Sequence, residues 1–348
     1  MVKKMNADKG INPLNGWKVD KSKIKTVGRD LQRPECILAE RDGTLWAADA
    51  RGGVTKIAPD GHQELVVQSV NNHFDLAENP ESSLLTGTLP NGLAFAKNGD
   101  LLIANFGTDR LERMTRDGIS EILCDSINGL PMGKVNFILR DSLDRIWITV
   151  STRINPWSDA ICSGLADGYI ALLDEKGLRV VADSFHFTNE IRMDANNEWL
   201  YVAETTAKRV TRLRVQADGS LTDREVYGPD NLGDGVIDGI AFDSYGNLWA
   251  TMIFADRIVA ITPEGELLEL FSDGDPVRTA QFEAEFATGN PVSLETLLAT
   301  GGQTCRWLAS ITFGGPDLKT VYLGGLRTDT IPYFTSPVAG LPMSHWEE

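Results

Sequence analysis

Residues 240–252 read IAFDSYGNLWATM: a short apolar run, a polar turn, and a second apolar run rich in aromatic and β-branched residues. Five more copies of this pattern occur: ILAERDGTLWAAD (37–49), LAFAKNGDLLIAN (93–105), FILRDSLDRIWITV (137–150), IRMDANNEWLYVAE (191–204) and ITFGGPDLKTVYLGG (311–325). Turn pairs such as Asp42-Gly43 and Asn98-Gly99 suit tight hairpins, because these residues tolerate positive φ. Each copy therefore predicts two antiparallel strands.

Most copies are followed by a third apolar run and another turn, as in GVTKIAPDG (53–61) and RIVAITPEG (257–265). Units of three or four strands that recur about every fifty residues, with no long helical period between them, are typical of propeller blades. A single open sheet of so many strands would curl or split. The sequence therefore predicts an all-β fold: one six-bladed β-propeller domain over residues 1–348, with the N- and C-terminal segments closing the ring.

Three stretches depart from the repeat and are predicted as insertions: 62–90, 151–167 and 266–308. They could cover one mouth of the central channel, with Phe74, Trp157 and Trp307 as apolar lid residues. They could equally be insertions at the outer rim or contacts between subunits. The last stretch contains the pattern of a short helix from Ser293 to Thr300, with Ser293 as its N-cap.

Composition excludes several classes of partner. The 348 residues are 42% hydrophobic and 24% charged, and 33 Lys and Arg against 49 Asp and Glu give a net charge of −16. Proteins that bind nucleic acids or anionic membranes usually carry clustered positive charge, whereas this chain is acidic. A small-molecule substrate is therefore expected instead. No apolar run of membrane-spanning length or signal-peptide pattern is present, and the four scattered cysteines form no C-x-x-C pair, which predicts reduced thiols in a cytoplasmic protein.

The repeat register leads to one polar position in every blade. The turn residues are Gly43, Gly99, Asp144, Asn197, Gly246 and Leu318, and eight residues before them stand Glu35, Asn91, Asn136, Asn189, Asp238 and Ser310. All six carry a side-chain oxygen, and none carries a positive charge. Equivalent positions in a propeller are related by rotation about one axis. If the first strand of each blade is innermost, these six side chains form an oxygen ring at one mouth of the channel.

Two carboxylates and several amides form a hard-oxygen donor set that suits one Ca²⁺ ion. The lack of His and Cys argues against a dedicated zinc site, and Zn²⁺, Mn²⁺ or Mg²⁺ are the alternatives. Without a cation, Glu35 and Asp238 would repel each other and be costly to desolvate. Asn91 and Ser310 are open between contact with the metal or substrate and a structural role, bonding backbone groups at strand starts.

Three segments carry a family resemblance: TNEIRMDANNEWLYVAET (188–205), IDGIAFDSYGNLWAT (237–251) and ITFGGPDLKTVYLGG (311–325). In them the chain resembles the SMP-30/gluconolactonase family, which includes senescence marker protein 30, gluconolactonase and luciferin-regenerating enzyme. The resemblance runs through all six repeats. It implies a six-bladed propeller with one divalent metal in the channel, and lactone hydrolysis.

The resemblance also implies roles for individual residues. The metal ligands would be Glu35, Asn189 and Asp238. Asp238 would also act as general base, and Asn136 would contact the metal or the substrate. Lys134 stands where members that use sugar lactones often carry Arg, and we expect it to contact the substrate. His186, three residues before Asn189, is the histidine best placed to reach the channel mouth, and we expect it to contact the substrate as well.

The expected function is therefore a metal-dependent hydrolase that opens a sugar or other small lactone, in which the metal polarises the carbonyl and Asp238 activates water. The metal site matches the family pattern more closely than the sugar-binding residues do, because Lys134 replaces the usual Arg and a family acidic residue is absent near 151–154. No G-x-S-x-G motif supports a serine hydrolase. The alternatives are ester, phosphotriester or isomerase-type chemistry on the same scaffold, and a non-enzymatic ligand-binding propeller stabilised by Ca²⁺.

Overall fold

The protein is described from a computed structural model covering residues 10–71 and 84–346. In these residues, six four-stranded antiparallel sheets form a six-bladed β-propeller, which confirms the predicted fold. Phe74, predicted as a lid residue, lies outside the described residues. No helix in the described ranges has the length and apolar character needed to cross a membrane.

The strands follow the repeat in chain order. Before the first blade come a 3-10 turn, Lys21–Lys23, and β1, Lys25–Val27. Blade 1 contains β2 (Ile37–Ala39), β3 (Leu45–Asp49), β4 (Gly53–Ile57) and β5 (Gln63–Val67), and is followed by a 3-10 turn, Ser69–Asn71. Blade 2 contains β6 (Pro90–Phe95), β7 (Leu101–Asn105), β8 (Arg110–Met114) and β9 (Ser120–Cys124). A small hairpin, β10 (Ser126–Ile127) and β11 (Leu130–Pro131), follows it.

The remaining blades repeat this plan. Blade 3 contains β12 (Val135–Arg140), β13 (Ile146–Val150), β14 (Gly168–Asp174) and β15 (Gly177–Phe185). Blade 4 contains β16 (Thr188–Met193), β17 (Trp199–Glu204), β18 (Arg209–Val215) and β19 (Leu221–Tyr227). Blade 5 contains β20 (Val236–Phe242), β21 (Leu248–Ile253), β22 (Arg257–Ile261) and β23 (Leu267–Ser272). Blade 6 takes β24 (Leu308–Gly314), β25 (Thr320–Gly325) and β26 (Ile331–Thr335) from the C-terminal part.

The two ends of the chain share the sixth blade. Strand β1 pairs antiparallel with β26, and Lys25 lies opposite Tyr333 and Val27 opposite Ile331. The sheet order is β1-β26-β25-β24, so the N-terminal strand is the outermost strand of a blade built mainly by the C-terminal part. This arrangement confirms the predicted closure of the ring. After β26 the chain reaches a 3-10 turn, Ser344–Trp346, where the Trp346 indole donates to the Ala39 carbonyl at 2.9 Å.

The first strand of every blade is the innermost one. Strands β2, β6, β12, β16, β20 and β24 contact one another in sequence around the axis, and β24 closes on β2. The six turn residues from which the register was counted all have positive φ: Gly43, Gly99, Asp144, Asn197, Gly246 and Leu318. The turn geometry therefore recurs at the same place in each blade, and the register that defined the oxygen ring is the structural one.

Buried indole–carboxylate pairs tie the inner hairpin in alternate blades. In blade 3 the Trp147 indole donates to Asp141 at 2.8 Å, and in blade 5 the Trp249 indole donates to Asp243 at 2.9 Å. Blade 1 uses Glu40 for Trp46, at 2.6 Å. In each pair the carboxylate precedes the tryptophan by six residues, at the two ends of the turn. The pair lets a large aromatic residue pack between blades with its N–H satisfied.

Asp243 is the carboxylate of this pair in blade 5. It is fully buried and accepts hydrogen bonds from the Gly246 and Asn247 backbones, the Asn247 amide and the Trp249 indole. We expect Asp243→Ala to lower the free energy of unfolding by about 2–3 kcal/mol, because these donors lose their partner inside the fold. Urea denaturation measures the change. Asp42→Ala is the control, because Asp42 is exposed and accepts the Thr44 backbone N–H at 2.8 Å; an equal loss in both variants would contradict the expectation.

The parts outside the blades are shorter than the predicted insertions. Strand β5 lies within 62–90 and β23 within 266–308, so both stretches begin with the outer strand of a blade. The second stretch then contains α1 (Pro276–Phe286) and α2 (Leu294–Ala299). The predicted helix is confirmed as α2, with the Ser293 hydroxyl accepting from the Thr296 N–H at 3.2 Å. Helix α1 was not predicted, although Asp275-Pro276 is a common helix start.

Candidate active site

Five residues of the oxygen ring line a single pocket of about 40 Å³ at one mouth of the channel. These are Glu35, Asn91, Asn136, Asn189 and Asp238, joined in the lining by Arg33 and Thr205. Each ring residue stands within two residues of the start of an innermost strand, where the rotation of the propeller brings the blades together. The structure therefore gathers the side chains that the repeat register singled out.

A larger cavity, of about 370 Å³, lies at the other end of the channel. Its lining includes Asp141, Asp194, Phe242 and Phe313, which stand where the innermost strands end, and it contains none of the oxygen ring. The acidic groups there are satisfied within the blades: Asp141 forms an ion pair with Arg145 at 2.7 Å, and Asp194 accepts the Glu198 backbone N–H at 2.8 Å. The smaller pocket is therefore the candidate active site.

Hydrogen bonds among the ring side chains fix how the amides point. The Asn91 amide nitrogen donates to Glu35 Oε1 at 2.8 Å and to the Asn136 carbonyl at 3.0 Å. The Asn189 amide nitrogen donates to the Thr205 hydroxyl at 3.1 Å. The side-chain oxygens of Asn91, Asn136 and Asn189 are buried, and no donor in the described part of the chain reaches them. Buried acceptors without partners are costly, and amide oxygens are ligands that Ca²⁺ accepts, so the site fits a hard cation.

Arg33 is a site residue that the sequence analysis missed. Its buried guanidinium lies with Nη2 3.0 Å from Glu35 Oε2, and Nη1 donates to the Pro90 carbonyl at 3.4 Å. Arg33 stands two residues before Glu35, as Lys134 does before Asn136, and both cations lie 5.9 Å from the centre of the Phe106 ring. Counting back ten residues from the turns would have paired them. The site thus contains its own cation beside a predicted metal ligand.

Glu190 is a second missed residue, adjacent to Asn189. It is buried, forms an ion pair with Arg192 at 2.7 Å, and accepts the Ile240 N–H at 3.2 Å. Ser310, the sixth member of the oxygen ring, is buried beside Glu190 and does not line the pocket. Glu190 therefore adds a third carboxylate to the channel, just behind the ring.

These groups leave an excess of buried negative charge. Burial raises the pKa of Glu35 to about 7, although Arg33 opposes the shift. Burial, reinforced by the charges of Glu35 and Glu190, raises the pKa of Asp238 well above its usual value. Glu35 is paired with Arg33 and Glu190 with Arg192, whereas Asp238 has no ion-pair partner among the described residues. Two guanidinium groups thus face three carboxylates, an imbalance that a bound cation would remove.

The donor set differs from that of a His- or Cys-rich metal site. Within residues 10–71 and 84–346, no three His, Cys, Asp or Glu side chains are grouped so that they could hold a metal ion. The oxygens around the pocket come instead from two carboxylates and three amides. All four cysteines are free thiols, and Cys36, the nearest in sequence to the ring, is buried. The chemistry available is that of oxygen ligands, which suits Ca²⁺ better than Zn²⁺.

Two residues predicted to contact the substrate lie outside the pocket lining. Lys134 is buried, and its ammonium group forms an ion pair with Asp109 at 2.9 Å. His186 is half-buried, and its backbone N–H donates to Glu204 at 3.1 Å. Neither side chain faces the pocket in this structure. Contact between these two residues and a substrate stays a prediction.

The other half of the pocket is an apolar cap. Its lining residues are Phe106, Trp157, Ile161, Phe187, Ile253, Phe254 and Leu326. Trp157 and Ile161 come from the predicted insertion 151–167, within and next to a 3-10 turn, Trp157–Ala160. The Trp157 indole donates to the Leu84 carbonyl at 3.2 Å, and its ring packs edge-on against Phe106. Trp307 lies behind the cap, fully buried against Phe254.

Comparison with known proteins identifies the family of the chain. The family model described as "SMP-30/Gluconolactonase/LRE-like region" matches residues 34–274. The chain belongs to this family. The match includes five of the six ring positions, Glu35 to Asp238, and ends before Ser310.

Individual relatives are distant. A protein of Pseudomonas putida named 6-deoxy-6-sulfogluconolactonase is 24% identical over 183 residues, which cover 50% of this chain and 53% of that protein. This chain thus spans about half the length of that curated relative. A solved structure described as a putative gluconolactonase superposes with a TM-score of 0.65 at 16% identity, covering 95% of this chain and 98% of the other. Regucalcin from Agrobacterium tumefaciens, described as a calcium-binding protein, gives 0.64 at 14%, with coverages of 91% and 96%. The two structures share the fold.

Proposed function

We propose that this protein is a divalent-metal-dependent hydrolase that opens small lactones. The observation that carries the proposal is the pocket itself, whose lining combines three unpartnered amide oxygens with Asp238, a carboxylate that forms no ion pair among the described residues. Family membership supports a lactonase-type enzyme, as does the name of the Pseudomonas relative. The description of regucalcin as calcium-binding supports Ca²⁺ as the cation, with Zn²⁺, Mn²⁺ and Mg²⁺ as alternatives.

The residues that would hold the cation are Glu35, Asn189 and Asp238, with Asn136 shared between the cation and the substrate. When bound, a divalent cation supplies a Lewis acid that draws electron density from a carbonyl oxygen. Asn136 keeps its side-chain oxygen unpartnered, and Asn91 holds Glu35 in place through a 2.8 Å hydrogen bond. The amides would therefore position Glu35 and the bound groups, and the carboxylates would neutralise the charge of the cation.

Asp238 would take the proton from the attacking water. It lines the pocket and is the ring carboxylate that no guanidinium pairs with, so its oxygens are the ones available to a water molecule. The apolar cap would exclude bulk water, which strengthens electrostatic interactions at the reacting carbonyl. Arg33, beside Glu35, would add positive charge where the oxyanion forms.

Metal removal tests the proposal. We expect a chelator to abolish hydrolysis of small lactones and Ca²⁺ to restore it. Ca²⁺ at about 100 times its Kd should also raise the free energy of unfolding by about 2.7 kcal/mol, because only the folded protein contains the site. Lactone hydrolysis followed by pH indicator, and thermal unfolding with and without Ca²⁺, measure the two effects.

Asn189→Leu is the matched variant, because it removes a pocket oxygen and keeps the side-chain size. It should lose both the Ca²⁺-dependent stabilisation and the activity. Full hydrolysis in chelator would refute the metal dependence. Stabilisation by Ca²⁺ without hydrolysis of any lactone would instead favour the non-enzymatic reading, and hydrolysis of aryl esters alone would favour a different ester chemistry on the same scaffold.

A further inference from the structure

The apolar cap offers a bound molecule almost no hydrogen bonds. Of its seven side chains, only Trp157 carries a polar atom, and that N–H already donates to the Leu84 carbonyl. The cap faces the oxygen ring across a pocket of about 40 Å³, so a ligand held at the ring must lie against it. The half of the ligand that points away from the ring therefore meets carbon.

The polar half of the pocket is already committed. The amide nitrogens of Asn91 and Asn189 donate to Glu35 and Thr205. The side-chain oxygens of Glu35, Asn189 and Asp238 are the proposed cation ligands, and Asn136 lies between the cation and the carbonyl. Among the described residues, the groups left to pair with hydroxyls on a lactone ring are Arg33, the Asn91 side-chain oxygen and the Thr205 hydroxyl, and none of them belongs to the cap. A buried hydroxyl without a partner weakens binding by about 10- to 100-fold.

The cap is tied to the neighbouring elements by hydrogen bonds and ring packing. The Val292 N–H donates to the Ile161 carbonyl at 3.0 Å, which ties the turn after Trp157 to the segment that follows α1. On α1, Glu283 pairs with Lys208 and accepts the Gly235 N–H at 2.7 Å. Packing of Phe254 between Phe282 and Trp307 supports the cap from behind.

We propose that the substrates are small lactones whose rings carry hydrogen, alkyl or aryl groups in place of hydroxyls. The inference rests on the proposed lactone hydrolysis and narrows its substrate class away from sugars. Each buried methylene group should improve binding by about fourfold, whereas each hydroxyl should weaken it. In the reaction, water adds to the carbonyl carbon, the ring C–O bond breaks, and the ring oxygen leaves as an alcohol after taking a proton, giving a hydroxy acid.

A matched pair of six-membered lactones tests the preference. We expect kcat/KM for δ-hexanolactone, which carries one methyl group, to exceed that for glucono-δ-lactone by at least about 100-fold. Calorimetry of the Ca²⁺-loaded protein with the corresponding lactams, which resist hydrolysis, should give at least about tenfold tighter binding of the methyl lactam. Equal or better use of the sugar lactone, or binding of neither lactam, would overturn the inference.

The lactams separate this inference from the proposed function. Tight binding of the methyl lactam with no turnover of either lactone would refute lactone hydrolysis, but it would still support a pocket that prefers apolar ligands. Turnover that favours glucono-δ-lactone would support hydrolysis and refute the substrate class. Both measurements use the full chain, so neither depends on isolating the cap.

Polar substitutions in the cap give a second test. Leu326→Gln and Ile161→Asn each place an amide on the apolar wall, and we expect each to lower the preference for δ-hexanolactone about tenfold. Two variants are used so that a folding defect in one, detected by its thermal unfolding, leaves the other informative. Ile119→Asn is the control, because Ile119 is an exposed hydrophobic residue that does not line the pocket. An unchanged preference in both folded cap variants would contradict the inference.

Discussion

Asp238→Asn is expected to lower kcat/KM for lactone hydrolysis by about 10²–10⁴-fold, which is the range for removing a general base. Asparagine keeps a side-chain oxygen at the same place, so the cation should stay bound, but it cannot accept a proton from water. The expectation is specific to Asp238, because Glu35 is engaged by Arg33 and Asn91. Steady-state kinetics measure the loss, and Ca²⁺ titration by calorimetry measures binding in the same variant.

Two further variants serve as controls for Asp238→Asn. Asp125→Asn removes a carboxylate from an exposed position and should leave kcat/KM unchanged. Asn189→Leu should remove metal binding and activity together, which separates loss of the cation from loss of the base. If Asp238→Asn hydrolyses lactones at the wild-type rate with the metal bound, Asp238 is not the base, and a hydroxide held in the site would have to replace it.

Most of the fold and the base of the pocket could be predicted because the chain repeats. A turn residue with positive φ marks each blade, and the fixed distance from Gly43 back to Glu35 recurs from Gly246 back to Asp238. Rotation about the propeller axis then converts a sequence register into a spatial ring. The prediction was less complete at Ser310, where the side chain lies beside Glu190 and outside the pocket lining.

The cap could not be predicted in the same way, because the segments that build it do not repeat. Trp157 was identified as an apolar lid candidate and lies in the pocket wall, whereas Trp307 lies behind it. Phe254 and Leu326 belong to loops that follow regular strands, and only tertiary packing turns them toward the channel. A pattern of strand and turn residues contains no information on which loop bends inward.

Arg33 should stabilise the protein without metal, because it pairs with a buried carboxylate of the site. The Arg33 guanidinium neutralises Glu35 from within, so it supplies part of the charge that a cation would bring. Arg33→Met should therefore lower the free energy of unfolding of the metal-free protein by about 3–5 kcal/mol, the usual cost of breaking a buried ion pair from one side. Denaturation from pH 7 upward is the measurement: Arg33 opposes the rise in the pKa of Glu35, so that pKa should lie above about 7 in the variant, and the loss should grow with pH as Glu35 ionises.

Calcium should reverse much of this loss, and that reversal is what identifies the role of Arg33. A divalent cation beside Glu35 replaces the missing charge and no longer meets repulsion from the guanidinium, so Ca²⁺ should bind Arg33→Met about tenfold or more tightly than the wild type. Arg116→Met is the matched control, because Arg116 forms a similar ion pair with Glu40 at 2.8 Å on the surface; its loss should cost about 1 kcal/mol or less, with or without Ca²⁺. If Arg33→Met loses the same stability in chelator and in Ca²⁺, Arg33 contributes packing and does not stand in for the cation.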